Sequence, residues 1–307
     1  MGKYNRRKKH LDILKNYKLY FLFLPGAVIL ILFNYIPMLG NVLAIKDFIP
    51  KYGIWGSPFV QPWNKYFVKL FADEYFWRAT KNTLIISLLR LVFVFPAPII
   101  LAMLYNELKV RWFKRISQTV LYLPHFLSWV IVAGIIKQLF LKDGFVNTLL
   151  LSIGGREIDF LTEGRNFLVL LILSDIWKGI GFGSIIYLAA IAGIDTTQYE
   201  AARLDGAGRL QTIWYITLPG IRSAISVQLI LSLSGILNGG FDQIYNLYSV
   251  PVYDVADIID TYVYRIGITQ GQVSLATALG LFKSVIALVL VLISNKLSKK
   301  IGGYGLW

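Results

Sequence analysis

Glu200-Ala201-Ala202-Arg203-Leu204-Asp205-Gly206-Ala207, followed by Ile216-Thr217-Leu218-Pro219, is a polar stretch set between two long apolar runs. Thr197-Gln198-Tyr199-Glu200 just before it reads as a capping box, with Thr197 capping backbone N–H groups and Glu200 reaching back. The spacing predicts a short helix starting there. Ala201 and Ala202 favour helix and keep one face slim, which suits insertion into a partner's cleft. Gly206 and Gly208 permit a sharp bend. Leu210, Ile213, Trp214 and Thr217 then recur at helical spacing, an apolar stripe expected to pack under a bundle. Pro219 suits the first turn of the next helix, where a missing N–H costs little.

The apolar runs around this loop set the fold class. The chain has 307 residues, 56% hydrophobic and only 16% charged, against roughly 25% charged in soluble domains. A membrane-spanning helix needs about 20 mostly apolar residues. Six runs qualify, near 19–40, 82–105, 117–140, 166–190, 218–238 and 275–295. The expected architecture is all-α: a basic segment 1–18, a first span 19–40, an outer loop 41–81, a core 82–295 containing the loop 195–217, and a tail 296–307. The first run exceeds the usual apolar length of a signal peptide and no A-x-A site follows, so it is read as retained. With no cysteine, disulfides and Cys-based metal sites are excluded.

The net charge of +14 follows membrane topology rather than nucleic acid. Lys3, Arg6, Arg7, Lys8, Lys9, Lys15 and Lys18, then Lys109, Arg111, Lys114 and Arg115, then Arg203, Arg209 and Arg222, then Lys296, Lys299 and Lys300 all fall on one side of an even number of spans. They outnumber the basic residues of the other loops, which places both termini and the Glu200 loop in the cytoplasm. Segment 1–18 reads either as a surface-lying segment on anionic lipid or as a disordered basic tail. Trp55, Trp63, Tyr66, Phe67 and Phe71 in the outer loop suit the membrane interface.

The loop resembles the EAA loop of ABC importer permeases, whose pattern is E-A-A, then Gly four residues after the second Ala, then I-x-L-P. All those positions match. Tyr122-Leu123-Pro124-His125-Phe126, Trp177-Lys178-Gly179 before Tyr187-Leu188-Ala189, and Gly240-Phe241-Asp242-Gln243-Ile244-Tyr245 resemble the carbohydrate-importing members. Lys46-Asp47-Phe48 and Phe95-Pro96-Ala97-Pro98 resemble the branch that imports complex oligosaccharides. The chain departs from many sugar permeases at Leu247-Tyr248-Ser249-Val250-Pro251, where they carry L-T-x-G-G-P. The resemblance implies a type I importer permease with six spans in a bacterial cell membrane. It implies that Glu200, Ala201, Ala202, Asp205, Gly206, Ala207, Leu218 and Pro219 couple the chain to an ATPase. It further implies a second permease subunit, expected to be a different chain, two cytoplasmic ATPase domains that hold the ATP and Mg, and an extracellular solute-binding protein. This chain itself is expected to bind no cofactor and no metal.

Charged residues within spans face a bundle interior or an aqueous cavity. Arg90, Asp175, Lys178 and Lys283 are such residues. Arg90 and Asp175 enter from the same side at similar depth, roughly 12–14 Å at 1.5 Å per residue, so they are expected to pair, Arg90 as part of a structural ion pair between spans, with Lys283 a rival partner for Asp175. Three basic groups against one acid suit an anionic saccharide such as a uronic-acid oligomer. Trp129, Trp177, Asn238, Asp242, Gln243 and Tyr245 supply the planar hydrogen-bonding groups and aromatic faces that sugars need, and with Asp175 they form the candidate solute pathway. Gly179, Gly181 and Gly183 allow either close helix approach or a locally opened helix.

Only His10 and His125 are present, neither placed with an acidic cluster for a metal site, and no G-x-x-x-x-G-K-[ST] occurs. An integral-membrane enzyme and a self-contained ATPase are therefore disfavoured. A secondary carrier or channel needs an ion-coupling site, and no inverted repeat is visible. A non-transporting scaffold or sensor that docks through the cytoplasmic loop is the other alternative.

Overall fold

The structure, a computed structural model, describes residues 17–235, 237 and 240–302. Segment 1–16, Asn238 and the last five residues lie outside the described residues. Among the described residues the chain is helical, with a single isolated bridge between Lys46 and Phe59. Four continuous helices are long and apolar enough to cross a membrane: α1 (Lys18–Ile45), α3 (Glu74–Glu107), α6 (Gly164–Ala192) and the apolar part of α12 (Val273–Gly302). Among the described residues, two bent pairs bring the number to as many as six when each is one span: α4 (Arg111–Tyr122) with α5 (Trp129–Phe140), and α8 (Arg209–Gly220) with α9 (Arg222–Ser234). Shorter helices lie between them, among them α2 (Lys65–Phe71), α7 (Thr196–Leu204), α10 (Phe241–Leu247) and α11 (Ile259–Tyr264).

Three prolines shape the spans in one way. A proline inside a helix removes an N–H and drives its ring against the carbonyl four residues back. Ahead of Pro37, Pro96 and Pro219 the helix widens for one turn, over Ile31–Tyr35, Arg90–Val94 and Ile213–Thr217. In each case the residue before the proline donates to the carbonyl five residues back, as Phe95 does to Arg90 at 2.9 Å. The extra residue relieves the clash without ending the helix.

Two expected boundaries are corrected. The run 117–140 is not one straight span: the two limbs bend by 104° at Phe126–Trp129. Pro124 cannot donate to Val120, and the chain restarts at Ser128, whose hydroxyl accepts from the Ile131 N–H at 3.3 Å. The second span begins at Glu74, earlier than 82, because Asp73 caps it through the Tyr75 N–H at 2.9 Å. The tract 41–81 is thus no open loop. Buried Lys46 donates to the carbonyls of Ile54 and Trp55 at 3.1 and 2.9 Å.

Three apolar clusters hold the helices. Ile86, Val132, Ile136, Phe167, Leu171, Ile244 and Leu247 join α3, α5, α6 and α10. Leu70, Phe76, Ile259, Tyr262, Leu275 and Leu279 join α2, α3, α11 and α12. Ile99, Ala102, Tyr187, Ile191 and Ile221 join α3 and α6 to the bend between α8 and α9. Of the three glycines in the middle of α6, Gly181 and Gly183 serve close approach: a Cβ at the first would strike the Leu121 carbonyl, and at the second would press on Pro98. Gly179 faces open space. By contrast, the most apolar stretch of α1 has no buried residue at all.

Candidate functional site

Two places combine exposed or polar chemistry with built geometry. The first is the loop between α6 and α9. Helix α7 starts two residues earlier than the capping box suggests, and its cap is Asp195, not Thr197. The Asp195 carboxylate accepts from the Thr197 N–H at 3.0 Å. That backbone bond, joined by the Thr197 hydroxyl, holds its pKa below the ordinary carboxylate range. Asp195 wins because its position lets a short carboxylate reach the second N–H of the helix.

The other end of α7 closes as a Schellman turn. The Ala207 N–H donates to Ala202 O at 2.8 Å and the Gly206 N–H to Arg203 O at 3.1 Å. Gly206 stands at φ +77°, where an L side chain is strained. Gly208 keeps an ordinary negative φ, so the bend belongs to Gly206 alone. Glu200, Ala201, Asp205 and Gly206 are exposed, with Ala202 and Ala207 half-buried. The Tyr199 hydroxyl lies 3.1 Å from the Thr217 hydroxyl and ties α7 to α8, which continues through Leu218 and exposed Pro219. Only half of the expected stripe packs: Thr217 is buried and Ile213 half-buried, while Leu210 and Trp214 are 73% and 63% exposed. With Leu204 and Tyr215, also exposed, they make an apolar rim around the loop. A cavity of about 770 Å³ opens between this loop and the end of α3, lined by Glu107, Lys109, Tyr199, Glu200 and Arg203 among others.

The second place lies midway along the spans. Arg90 and Asp175 meet, with Nε 3.1 Å from Oδ2, although the N–H is not aimed as a hydrogen bond. Arg90 also donates to the Gln243 side chain. Gln243 is fully buried and donates in turn to Leu171 O at 2.7 Å and Ser174 Oγ at 2.9 Å. Gly240, at φ +76°, lets α10 begin against the guanidinium, where a Cβ would overlap it. One residue from α3 thereby fastens α6 and α10. A cavity of about 430 Å³ borders this network, lined by Arg90, Asp175, Ser232 and Gly240 with Val94 and Phe95.

One turn further along α6, Lys178 Nζ donates to His125 O at 2.9 Å and lies 5.4 Å from the Trp129 ring centroid. Its expected rival, Lys283, does not compete for Asp175. It pairs with Asp260 at 2.5 Å, because α11 packs against α12 and brings that carboxylate alongside. Nothing in the local pattern around Asp260 marks it as that partner. Trp177 lies elsewhere, in an apolar groove with Ile135, Leu139 and Leu173. Asp242 is exposed in the first turn of α10. Tyr245 stacks on Phe241 at 5.2 Å and meets Tyr264 edge-on at 4.9 Å. The structure thus gathers Asp175 and Gln243 around Arg90, leaves Trp129 beside Lys178, and sets Trp177 apart. Asn238 lies outside the described residues.

A helical bundle of up to six spans, with a rigidly capped polar loop at one end and a charged network in its middle, defines a membrane transport component. The chain belongs to the family described as binding-protein-dependent transport system inner membrane component, whose profile matches residues 95–303. This is a permease subunit and not itself catalytic. The chain is 44% identical to the polygalacturonan/rhamnogalacturonan transport system permease protein YteP of Bacillus subtilis (strain 168), over 99% of this chain and 95% of that one. It is 46% identical to protein LplB of the same organism, over 94% and 91%. Among solved structures it resembles a bacterial ABC transporter involved in the import of the acidic polysaccharide alginate, with 42% identity, a TM-score of 0.89, and 96% and 99% of the two chains covered. The same kind of transporter, in complex with an alginate pentasaccharide-bound periplasmic protein, matches with a TM-score of 0.88.

Proposed function

We propose that this chain is one permease of an ATP-driven importer in a bacterial cell membrane, taking up an acidic oligosaccharide handed over by an extracellular solute-binding protein. Relatives over nearly the whole chain are named for pectic polysaccharides and for alginate, both rich in carboxylates. The observation that carries the coupling half of the reading is the loop. Its Schellman turn at Gly206 ends a short, slim helix that is tied to α8 at Tyr199 and ringed by Leu204, Leu210, Trp214 and Tyr215, which stay exposed among the described residues. A separate ATPase, holding ATP and Mg, receives that helix in the cytoplasm. Closure of two ATPase domains draws the loops of two permeases together and turns the cavity from inward- to outward-facing. The loop transmits this only because it binds the two ATPase states with different strength. The second permease is expected to be a different chain, and the bare face of α1 leaves room for it.

The test is affinity purification of the tagged chain in mild detergent, wild type beside Gly206→Trp. Wild type should bring down an ATPase and a second permease, and the variant should lose the ATPase. A chain that purifies alone, or that holds the ATPase whatever stands at 206, overturns the reading.

A further inference from the structure

We propose that Arg90 and Lys178 are the cations that read a carboxylate on the passing saccharide, and that Asp175 is the resident counter-ion they share when the path is empty. This rests on the reading of the chain as a permease for an acidic oligosaccharide. Asp175 and Lys178 are three residues apart on α6, hence on one face and about 4.5 Å apart along the axis. Arg90 reaches the same carboxylate from α3. Two cations therefore stand around one acid at mid-span. Lys178 is engaged by a neutral carbonyl and by the Trp129 ring, neither of which cancels its charge.

An uncompensated cation within a membrane span is costly unless it faces water or an anion. Here the network borders a cavity of about 430 Å³, and the side chains of Arg90 and Asp175 keep 19% and 24% of their exposure. The Arg90 Nε faces Asp175 at ion-pair distance without an aligned hydrogen bond, so the carboxylate is held by charge rather than by a locked fork. Such a contact exchanges: a uronate carboxylate entering the cavity takes the place beside Arg90, which lines it, while Asp175 keeps Lys178, one turn along α6. Meanwhile Gln243 fixes the guanidinium plane from α10. Trp129 carries Lys178 over its ring and packs against the apolar cluster of α3, α5, α6 and α10, so it positions that cation. The remaining mid-span pair, Lys283 with Asp260, is internally neutral and has no such excess.

The test uses the complete assembly, with its second permease and ATPase, in proteoliposomes. Uptake of an oligogalacturonate is compared with that of its methyl ester of the same length, each loaded on the same binding protein. Lys178→Gln and Arg90→Gln should each lower the acid-to-ester uptake ratio by about tenfold or more, the scale of losing one charge-assisted contact. Asp175→Asn should lower both the half-saturating acid concentration and the maximal rate, since the freed cations hold the carboxylate longer. An unchanged ratio in Lys178→Gln overturns the inference, and that variant alone decides if Arg90→Gln fails to assemble. Wild type that takes up neither oligomer refutes the acidic-oligosaccharide reading itself.

Discussion

Gly206 shows how one residue sets the mechanics of a loop. A Cβ there would meet nothing within 4 Å, so substitution is resisted by backbone conformation and not by crowding. The cost of a β-branched residue in the left-handed region is on the order of 1–3 kcal/mol, enough to melt a turn that nothing else supports. Gly206→Val is expected to lose ATPase co-purification, while Gly206→Asn, which tolerates that region, retains most of it. Equal loss in both would shift the explanation from conformation to contact. Gln243 illustrates the opposite constraint. Its buried amide satisfies Leu171, Ser174 and Arg90 together, so Gln243→Leu strands several polar groups. A destabilisation of about 1–3 kcal/mol is expected, read as a lower unfolding temperature in detergent. An unchanged temperature would mean that the network is dispensable.

At the scale of elements, α6 is the mast against which the others are set, and its glycines are not equivalent. Gly181 carries the Leu121 backbone in direct contact, whereas Gly179 faces open space. Gly181→Val should abolish folded, membrane-inserted protein, since backbone cannot give way as a flexible side chain does. Gly179→Ala should be neutral or stabilising by up to ~1 kcal/mol, the helix propensity difference. Expression and monodispersity of the two variants side by side check this, and a reversed order would refute the packing assignment. The three widened turns ahead of Pro37, Pro96 and Pro219 belong to the same scale. One of them opens at Arg90, so the proline also sets the direction in which the cation leaves its helix.

For the whole molecule, the loops that carry Asp47 and Asp159 have their own pH dependence. Hydrogen bonds from the Tyr66 hydroxyl and Lys65 hold the Asp47 carboxyl below its ordinary value of 3.8, and the Thr162 hydroxyl does the same for Asp159. A depressed folded-state pKa gives stability that is present above the unfolded value and lost as pH falls through the folded one. The tract 46–66 is therefore expected to loosen only below about pH 4, and Asp47→Asn should flatten that acid limb in protease-protection assays. Loosening near neutral pH in the wild type would contradict the assignment. The bare flank of α1 sets a second expectation at this scale. Cysteines placed on exposed Phe21 or Leu22 should cross-link to the second permease rather than within the chain.

The apolar runs, their number and the polar loop at 195–217 were legible in the sequence, because the cost of burying charge in lipid and the twenty-residue span length act locally. So was the match in depth of Arg90 and Asp175, which needs only helix rise from a common side. The sequence also pointed to Gly206, since a turn of that kind has few tolerable residues. It misplaced the cap of α7 by two residues, because Asp195 and Thr197 are both good caps and only the geometry of the chain leaving α6 chooses between them. Tertiary structure alone decided that Lys283 belongs to Asp260, that Trp177 turns toward an apolar groove, that the third run folds at Pro124, and that Gln243 ties Arg90 to α6. Each of these depends on which faces of distant helices meet. That is set by close packing at Gly181, Gly183 and Gly240 and by the bends at the prolines, and one sequence carries no record of either until the helices are packed together.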